Sequence, residues 1–408
     1  MDTVLPSSRN VSNLQWMNAQ LKFSFRLIAI LLLLTFKVNK ASGQKALRGK
    51  YQLWAEEDGR IEVKSWYLAG ETAIDEWWKL DVTALLDSIS GATPIGRPPT
   101  DDPDEWLATL EEERKAGVVQ LSRKGLEYDF SFEVGLSDEP DYYSRSFAIG
   151  GGKGIWEDTL NFSTGFSYMD DRIDTSVPGG PGYGDQSKFT PEVFFGVERL
   201  LDERTSVSLN LTFGWPEGYL SDPYKQIGQT ITLFPGDPVR ERDIMFLFPE
   251  NRPNKRETFV AYLEGKRYFE QLDASLEGSY RYFTDNDGLY GHTFELQWFK
   301  RFADSFVIRP YLRYYIQDAA DFYRLTLDGT GITPTNQPDG TGDFYSADYR
   351  LSELETAIYG VKLTYFTKGH FNFDIAYDRY VMEGKDGITD QRVYPDADVF
   401  TVGFQWVY

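Results

Sequence analysis

Residues 292–317 read "HTFELQWFKRFADSFVIRPYLRYYIQ", and this stretch decides the fold. In its first half Phe294, Leu296, Trp298 and Phe302 share one parity, while Thr293, Glu295, Gln297 and Arg301 share the other. After the short "ADS" break, Phe306, Ile308, Pro310, Leu312, Tyr314 and Ile316 oppose Arg309, Arg313 and Gln317. A period of two means a strand with one apolar and one polar face. Pro310 falls on the apolar side, where it removes one ladder hydrogen bond.

The pattern recurs in "LEYDFSFEVGL" (126–136), "LNFSTGFSY" (160–168), "SVSLNLTFGW" (206–215) and "DASLEGSYRYF" (273–283). Each run has the ~9–11 residues that a tilted strand needs to cross a bilayer. A soluble β-sandwich also alternates, with its apolar face turned inward. Three features favour a membrane barrel. Tyr, Phe and Trp gather on the apolar face towards strand ends, as in an aromatic girdle. The polar face carries charges of both signs, which suits a wet lumen. Connections also alternate in length: "LLDER", "FEQLD", "RFADS" and "FTKGHF" are tight, whereas 91–115, 170–188, 216–254, 319–348 and 384–397 are long and rich in Gly, Pro and Asp. Short periplasmic turns and long outer loops are the barrel asymmetry.

Strands are expected at 47–57, 60–70, 73–88, 116–123, 125–136, 142–151, 155–168, 189–200, 204–215, 256–269, 271–284, 289–302, 305–317, 349–367, 369–383 and 398–408. The predicted fold is therefore all-β, an antiparallel transmembrane β-barrel of about sixteen strands, with fourteen and eighteen as the alternatives. One segment departs from it. "DDPDEWLATLEEERKAG" (101–117) has acidic residues early, basic residues late and a closing Gly117, the chemistry of a short loop helix. Trp106, Leu107 and Leu110 give that helix a small apolar face.

Composition sets the compartment. The 408 residues carry a formal net charge of −21, which excludes nucleic acid as a partner, and contain no cysteine, which excludes disulfides and thiolate chemistry. The run "LIAILLLLTF" (27–36) is too short to span a bilayer as a helix. Lys22 and Arg26 precede it, and the small residues Ala41, Ser42 and Gly43 follow. That order predicts a signal peptide over 1–43, cleaved near Gly43–Gln44, with Met17 as an alternative start, and a single barrel domain over 44–408. At the other end Phe400, Val402, Phe404, Trp406 and Tyr408 share one face and resemble the C-terminal assembly signal of outer-membrane barrels. The expected location is the outer membrane, with its lipid and the barrel-assembly machinery as partners.

Seven stretches carry a family resemblance: "SGATP" (90–94), "GYLSDPYK" (218–225), "ENRP" (250–253), "RYFTDNDGLYGHTFEL" (281–296), "RYYIQDAADFY" (313–323), "YSADYRLS" (345–352) and "YPDADVFTVG" (394–403). In this order they resemble the domain-of-unknown-function 3570 family, predicted outer-membrane β-barrels of Gram-negative bacteria. The family form of the fifth stretch resembles Arg-Tyr-Tyr-x-Gln-Ser-Ala-Ala-Asp-Phe-Tyr, and Asp318 stands at its Ser position. The resemblance implies fold and location and supplies no reaction.

Parity places Glu127, Glu133, Glu277, Arg281, Glu295, Arg301, Arg309, Arg313, Lys362 and Asp374 in the lumen. Such rows make a transverse field across a water channel or pair into a plug. The expected function is a porin-like pore for small polar solutes. The alternative is a plugged barrel that anchors a periplasmic or surface protein. A hydrolase is the third reading, with His292 as the only base at an outer strand end and no nucleophile beside it in sequence. The chain is expected to be no enzyme and to need no cofactor. Asp318, Asp321 and Asp348 offer oxygen ligands for calcium, but turn chemistry explains them first.

Overall fold

The computed structural model describes residues 45–407 apart from 177–179 and 181, so the expected signal peptide and Tyr408 lie outside the described residues. Sixteen long strands follow one another: β1 Lys45–Glu56, β2 Glu62–Ala73, β3 Trp78–Pro94, β4 Leu107–Arg123, β5 Asp129–Asp138, β6 Tyr142–Ile155, β7 Leu160–Asp174 and β8 Asp185–Asp202, then β9 Thr205–Gly214, β10 Thr258–Phe269, β11 Ala274–Asp285, β12 Tyr290–Phe302, β13 Phe306–Gln317, β14 Leu354–Phe366, β15 Phe371–Gly384 and β16 Ala397–Val407. Each pairs antiparallel with the next, and β16 pairs back onto β1 from Ala46↔Val407 to Glu56↔Ala397. The sheet is a closed barrel, and closure leaves no bare edge for hydrocarbon to meet.

The faces divide as the alternation requires. Trp66 is 58% exposed, Phe130 55%, Tyr359 52% and Phe373 50%, so the large apolar side chains point outward into what must be lipid. At one end of the barrel Phe302 stacks on Phe306, which packs at a tilt on Tyr365, and Phe371 stacks on Trp406. At the other, Tyr168 stacks on Phe189 and Phe213 packs on Phe259. These are the two aromatic girdles. Phe400, Val402, Phe404 and Trp406 share the outer face of β16.

The two ends differ in their connections. The turns 74–77, 124–128, 156–159, 203–204, 270–273, 303–305 and 367–370 close one end, where both ends of the described chain also lie. At the opposite end sit 95–106, 175–184, 215–257, 318–353 and 385–396, together with the shorter 57–61, 139–141 and 286–289. Every long loop is on one side.

Two expectations are corrected. The helix predicted over 101–117 is absent: a 3-10 turn, Pro103–Glu105, held by the Asp102 carboxylate accepting from the Asp104 N–H, leads straight into β4. The stretch was misread because β4 here rises above the bilayer, where Glu111 and Glu113 on one face meet solvent and Glu112 and Arg114 on the other meet the polar space beneath the cap. With no lipid there is no apolar face, and the period of two disappears. A continuous ladder to β3, from Pro94↔Leu107 to Trp78↔Arg123, outweighs the helical propensity. Second, the 216–254 loop contains a two-stranded ribbon, Gln226–Leu233 against Arg242–Pro249.

Candidate functional site

The long loops fold into a cap with its own small cores. Leu289, Ala320, Phe322, Tyr323 and Leu351 form one. Trp106, Leu354, Val393 and Tyr394 form another, and Ile227, Leu327, Tyr345 and Ala347 a third. Apart from a patch around Val82, these are the buried apolar clusters of the described residues. The loop cap therefore packs like a soluble protein above a barrel whose apolar side chains face outward.

A buried charge network ties the cap together. The Arg252 guanidinium contacts Glu250 Oε1 through Nε at 2.7 Å and Asp348 Oδ2 through Nη2 at 2.7 Å. Arg350 Nε donates to both Asp348 oxygens at 2.9 Å, and its Nη2 reaches Asp222 Oδ2 at 2.5 Å. Lys225 Nζ donates to the Pro94 carbonyl at 2.5 Å. Glu250, Asp348 and Lys225 are each buried. Three cations meet three anions, so the network is neutral, as a buried set must be. Burial pushes Glu250 up, opposed by Arg252. Burial would likewise raise Asp348, but Arg350, Lys225 and Arg252 hold it far below the usual range.

Five of the seven family stretches meet in or beside this network. "GYLSDPYK" supplies Asp222 and Lys225, "ENRP" Glu250 and Arg252, "YSADYRLS" Ser346, Asp348 and Arg350, and "SGATP" the Pro94 carbonyl. Tyr394 of "YPDADVFTVG" shares a 2.6 Å hydrogen bond with Ser352. In the remaining two, the Asp321 N–H donates to the Asp287 carbonyl at 2.8 Å. Sequence reading placed the charges in loops and missed the network. The available signal was opposite charges repeated at short spacing in "SDPYK", "ENR" and "SADYR".

Beneath the cap lies a cavity of about 440 Å³, lined by Glu112, Glu139, Asp141, Tyr224, Lys188 and Arg252 among others. The Tyr224 hydroxyl lies 2.6 Å from Glu112 Oε1 and 2.9 Å from Asp141 Oδ2. Burial raises the Glu139 carboxyl against the pull of Arg114, and Glu112 and Asp141 add to the rise. Asp287, also on this wall, is pushed up to about 6 by burial and the neighbouring Asp285.

The lumen has two unlike walls. From β4 to β9 the inward residues are mostly small and polar, including Gln120, Ser131, Ser163, Ser167, Ser208 and Asn210, around a cavity of about 1170 Å³. Glu133, Glu192 and Glu198 line that cavity, and Glu127 sits at its rim in the 124–128 turn rather than on a strand. From β11 to β15 the wall is aromatic and charged. Glu295 and Arg313 pair at 3.4 Å, and Lys362 pairs with Asp374. Arg281 lies over Phe283 and Arg309 over Phe299. Glu277 faces Gln297 across the ladder, and Arg301, near the short turns, reaches Asp273 at 3.8 Å.

The three candidate calcium ligands are spread apart. Asp348 is enclosed by arginines, while Asp318 and Asp321 are exposed just past the end of β13. Among the described residues the one group of carboxylates close enough to share an ion is Glu112, Glu139 and Asp141. His292 takes its hydrogen bond from or to the Tyr280 hydroxyl at 2.8 Å, with the Tyr280 and Tyr282 rings beside it.

A closed sixteen-stranded barrel with an outward apolar band, a polar lumen and a one-sided loop cap is an outer-membrane-type β-barrel. A family model described as a protein of unknown function, DUF3570, matches residues 98–407, and the chain belongs to that family. No curated protein matches the chain. Among solved structures it is similar to the outer membrane protein OpdK from Pseudomonas aeruginosa (7% identity, TM-score 0.43, covering 91% of this chain and 100% of that one). It is also similar to a loop-deletion mutant of OmpT, an outer membrane protein of Vibrio cholerae (9% identity, TM-score 0.41, 90% and 100%). The siderophore receptor PirA from Pseudomonas aeruginosa matches at 10% identity and TM-score 0.40, over 85% of this chain but 57% of the receptor, so the chain spans a little over half of that protein. These likenesses concern the fold alone.

Proposed function

We propose that this chain is an outer-membrane pore for small polar solutes, with its short turns in the periplasm and its cap outside the cell. In this reading residues 1–43 are a cleaved export signal, and the outer face of β16 is the strand read by the assembly machinery. The observation that carries it is the β4–β9 wall: small polar side chains around a cavity of about 1170 Å³, with Glu133, Glu192 and Glu198 free of ion-pair partners among the described residues. A plug would pair such charges across the lumen; an aqueous path leaves them to water. Sixteen strands leave room for that path. The lumen candidates named from sequence are its lining. The role is passage rather than catalysis.

Planar-bilayer recording tests the proposal. The refolded full chain is expected to conduct stepwise, and absence of steps across salts and voltages would overturn it. A second reading rests on the cap, whose cores and buried network make a fixed surface: a plugged barrel that holds a surface or periplasmic protein. Stoichiometric co-purification of one soluble protein from native membrane would favour that reading.

A further inference from the structure

The lumen cations are not equivalent. Arg48, Lys79, Lys266, Arg313 and Lys362 each have a carboxylate within ion-pair reach. Lys50, Arg281 and Arg309 have none among the described residues. Each instead lies over an inward-facing ring: Lys50 3.8 Å from the Tyr67 centroid, Arg281 5.4 Å from Phe283, Arg309 5.8 Å from Phe299. A ring face orients a cation without neutralising it.

Arg309 is the most exposed to this imbalance. It lies directly across the ladder from Lys362, a like-charge pair that costs stability unless something intervenes. Its Nε is buried and has no hydrogen-bond partner. Lys50, on β1, lies across the ladder from Gly403, whose other ladder partner is Asp374. Three cations thus share one belt of the lumen with three carboxylates: Asp374, Asp87 on the Lys50 side, and Asp378 in the field of Arg309 and Lys362. Asp374 and Asp378 lie down on the wall. A Cβ at Gly403 would stand 2.1 Å from Asp374 Oδ2, and one at Gly360 2.1 Å from Asp378 Oδ1. The two glycines give the acids that space; Lys362 reaches Asp374, while Arg309 keeps no carboxylate within ion-pair reach among the described residues.

We propose that Arg309, Lys362 and Lys50 form an anion-binding station inside the lumen, taking the oxygens of a carboxylate or phosphate carried by the solute. Arg309 holds the anion in its planar fork, Lys50 and Lys362 add point charges, and Arg281 lies on the same aromatic wall towards the cap. The assignment deepens the pore reading and rests on it for its biological meaning, but binding to the station does not require that the pore conduct.

The test is a calorimetric titration of the detergent-solubilised full chain with inorganic phosphate, with succinate and with neutral erythritol, alongside bilayer recording. The wild type is expected to bind one of the two anions and not erythritol, and the tighter anion identifies the oxygen chemistry. Arg309→Gln is expected to weaken that affinity about tenfold to a hundredfold, the worth of one charge-assisted hydrogen bond. Arg309→Lys should retain most of it, and Lys79→Gln, at the short-turn rim, all of it. Heat-modified gel mobility verifies that each variant is folded. No anion binding, or equal binding by wild type and Arg309→Gln, overturns the station. Anion binding by a barrel that never conducts upholds the station and overturns the pore.

Discussion

Replacing Arg252 by Met removes a charge from the middle of the cap while keeping most of its volume. Its guanidinium serves Glu250 at 2.7 Å and Asp348 at 2.7 Å, both carboxylates fully buried. Arg350 and Lys225 still hold Asp348, but Glu250 loses its main cation and is left beside another anion. Removing one partner of a buried ion pair costs about 3–5 kcal/mol. The barrel ladders do not pass through this network, so the cost falls on local opening of the cap rather than on global unfolding. At about 1.4 kcal/mol per decade, opening becomes roughly two to four decades more frequent. Hydrogen exchange reads this at the Asn251 and Tyr345 amides, which bond each other's carbonyls across the two loops at 3.0 and 2.9 Å. Exchange there should accelerate by that factor, while strand amides such as those of β6 and β7 stay unchanged. Arg252→Met combined with Glu250→Leu should recover most of the loss, because the orphaned charge leaves with its partner. Unchanged exchange at Asn251 and Tyr345 in the single variant would refute the reasoning.

Three further outcomes follow from the same geometry. Gly96 has φ of +109°, and a Cβ there would stand 1.9 Å from the Gln226 carbonyl, so Gly96→Ala should detach the ribbon from the Ile95–Gly96 segment after β3 and speed proteolysis at its tip near Gly236. Asp287 titrates near 6 in the folded cap against an ordinary 3.8; a raised carboxyl favours the fold when protonated, so cap stability should fall as pH rises through about 6. Asp287→Asn should flatten that part of the profile, read by hydrogen exchange at pH 5 and pH 8. Leu296, outward on β12, and Gln297, inward, separate the two solvents. Leu296→Arg should cost about 2–4 kcal/mol in urea unfolding from lipid vesicles and Gln297→Arg far less, whereas equal costs would reject the assigned faces.

The barrel was legible because lipid enforces alternation. Wherever a strand crosses hydrocarbon, as in Phe294–Leu296 against Glu295–Gln297, one face must be apolar, and all sixteen expected strands have counterparts in the structure. Legibility ended at the headgroups. β4 between Leu107 and Lys115 is a strand with charge on both faces, and it read as a helix. The ribbon in the long loop was missed for the same reason. The end of β13 at Gln317 was found, since charge at Asp318 needs water. The reason it ends there was not: the Gln317 amide donates to the Arg350 and Ser352 carbonyls at 2.9 and 2.7 Å, pinning the far end of the following loop. Such contacts join residues more than thirty positions apart, and periodicity carries no information about them.

The pairing of β16 with β1 has a consequence for the three strands ahead of β4. The segment matched by the family model, 98–407, contains the thirteen strands β4–β16. Taken alone those strands would present two raw margins, one along β4 and one along β16, each a row of amides and carbonyls with nothing to bind in oil. β1, β2 and β3 are what make the ring whole. β1–β3 are therefore as necessary to closure as the thirteen strands that follow them. A truncation there should produce not a smaller pore but a polypeptide that the membrane cannot hold.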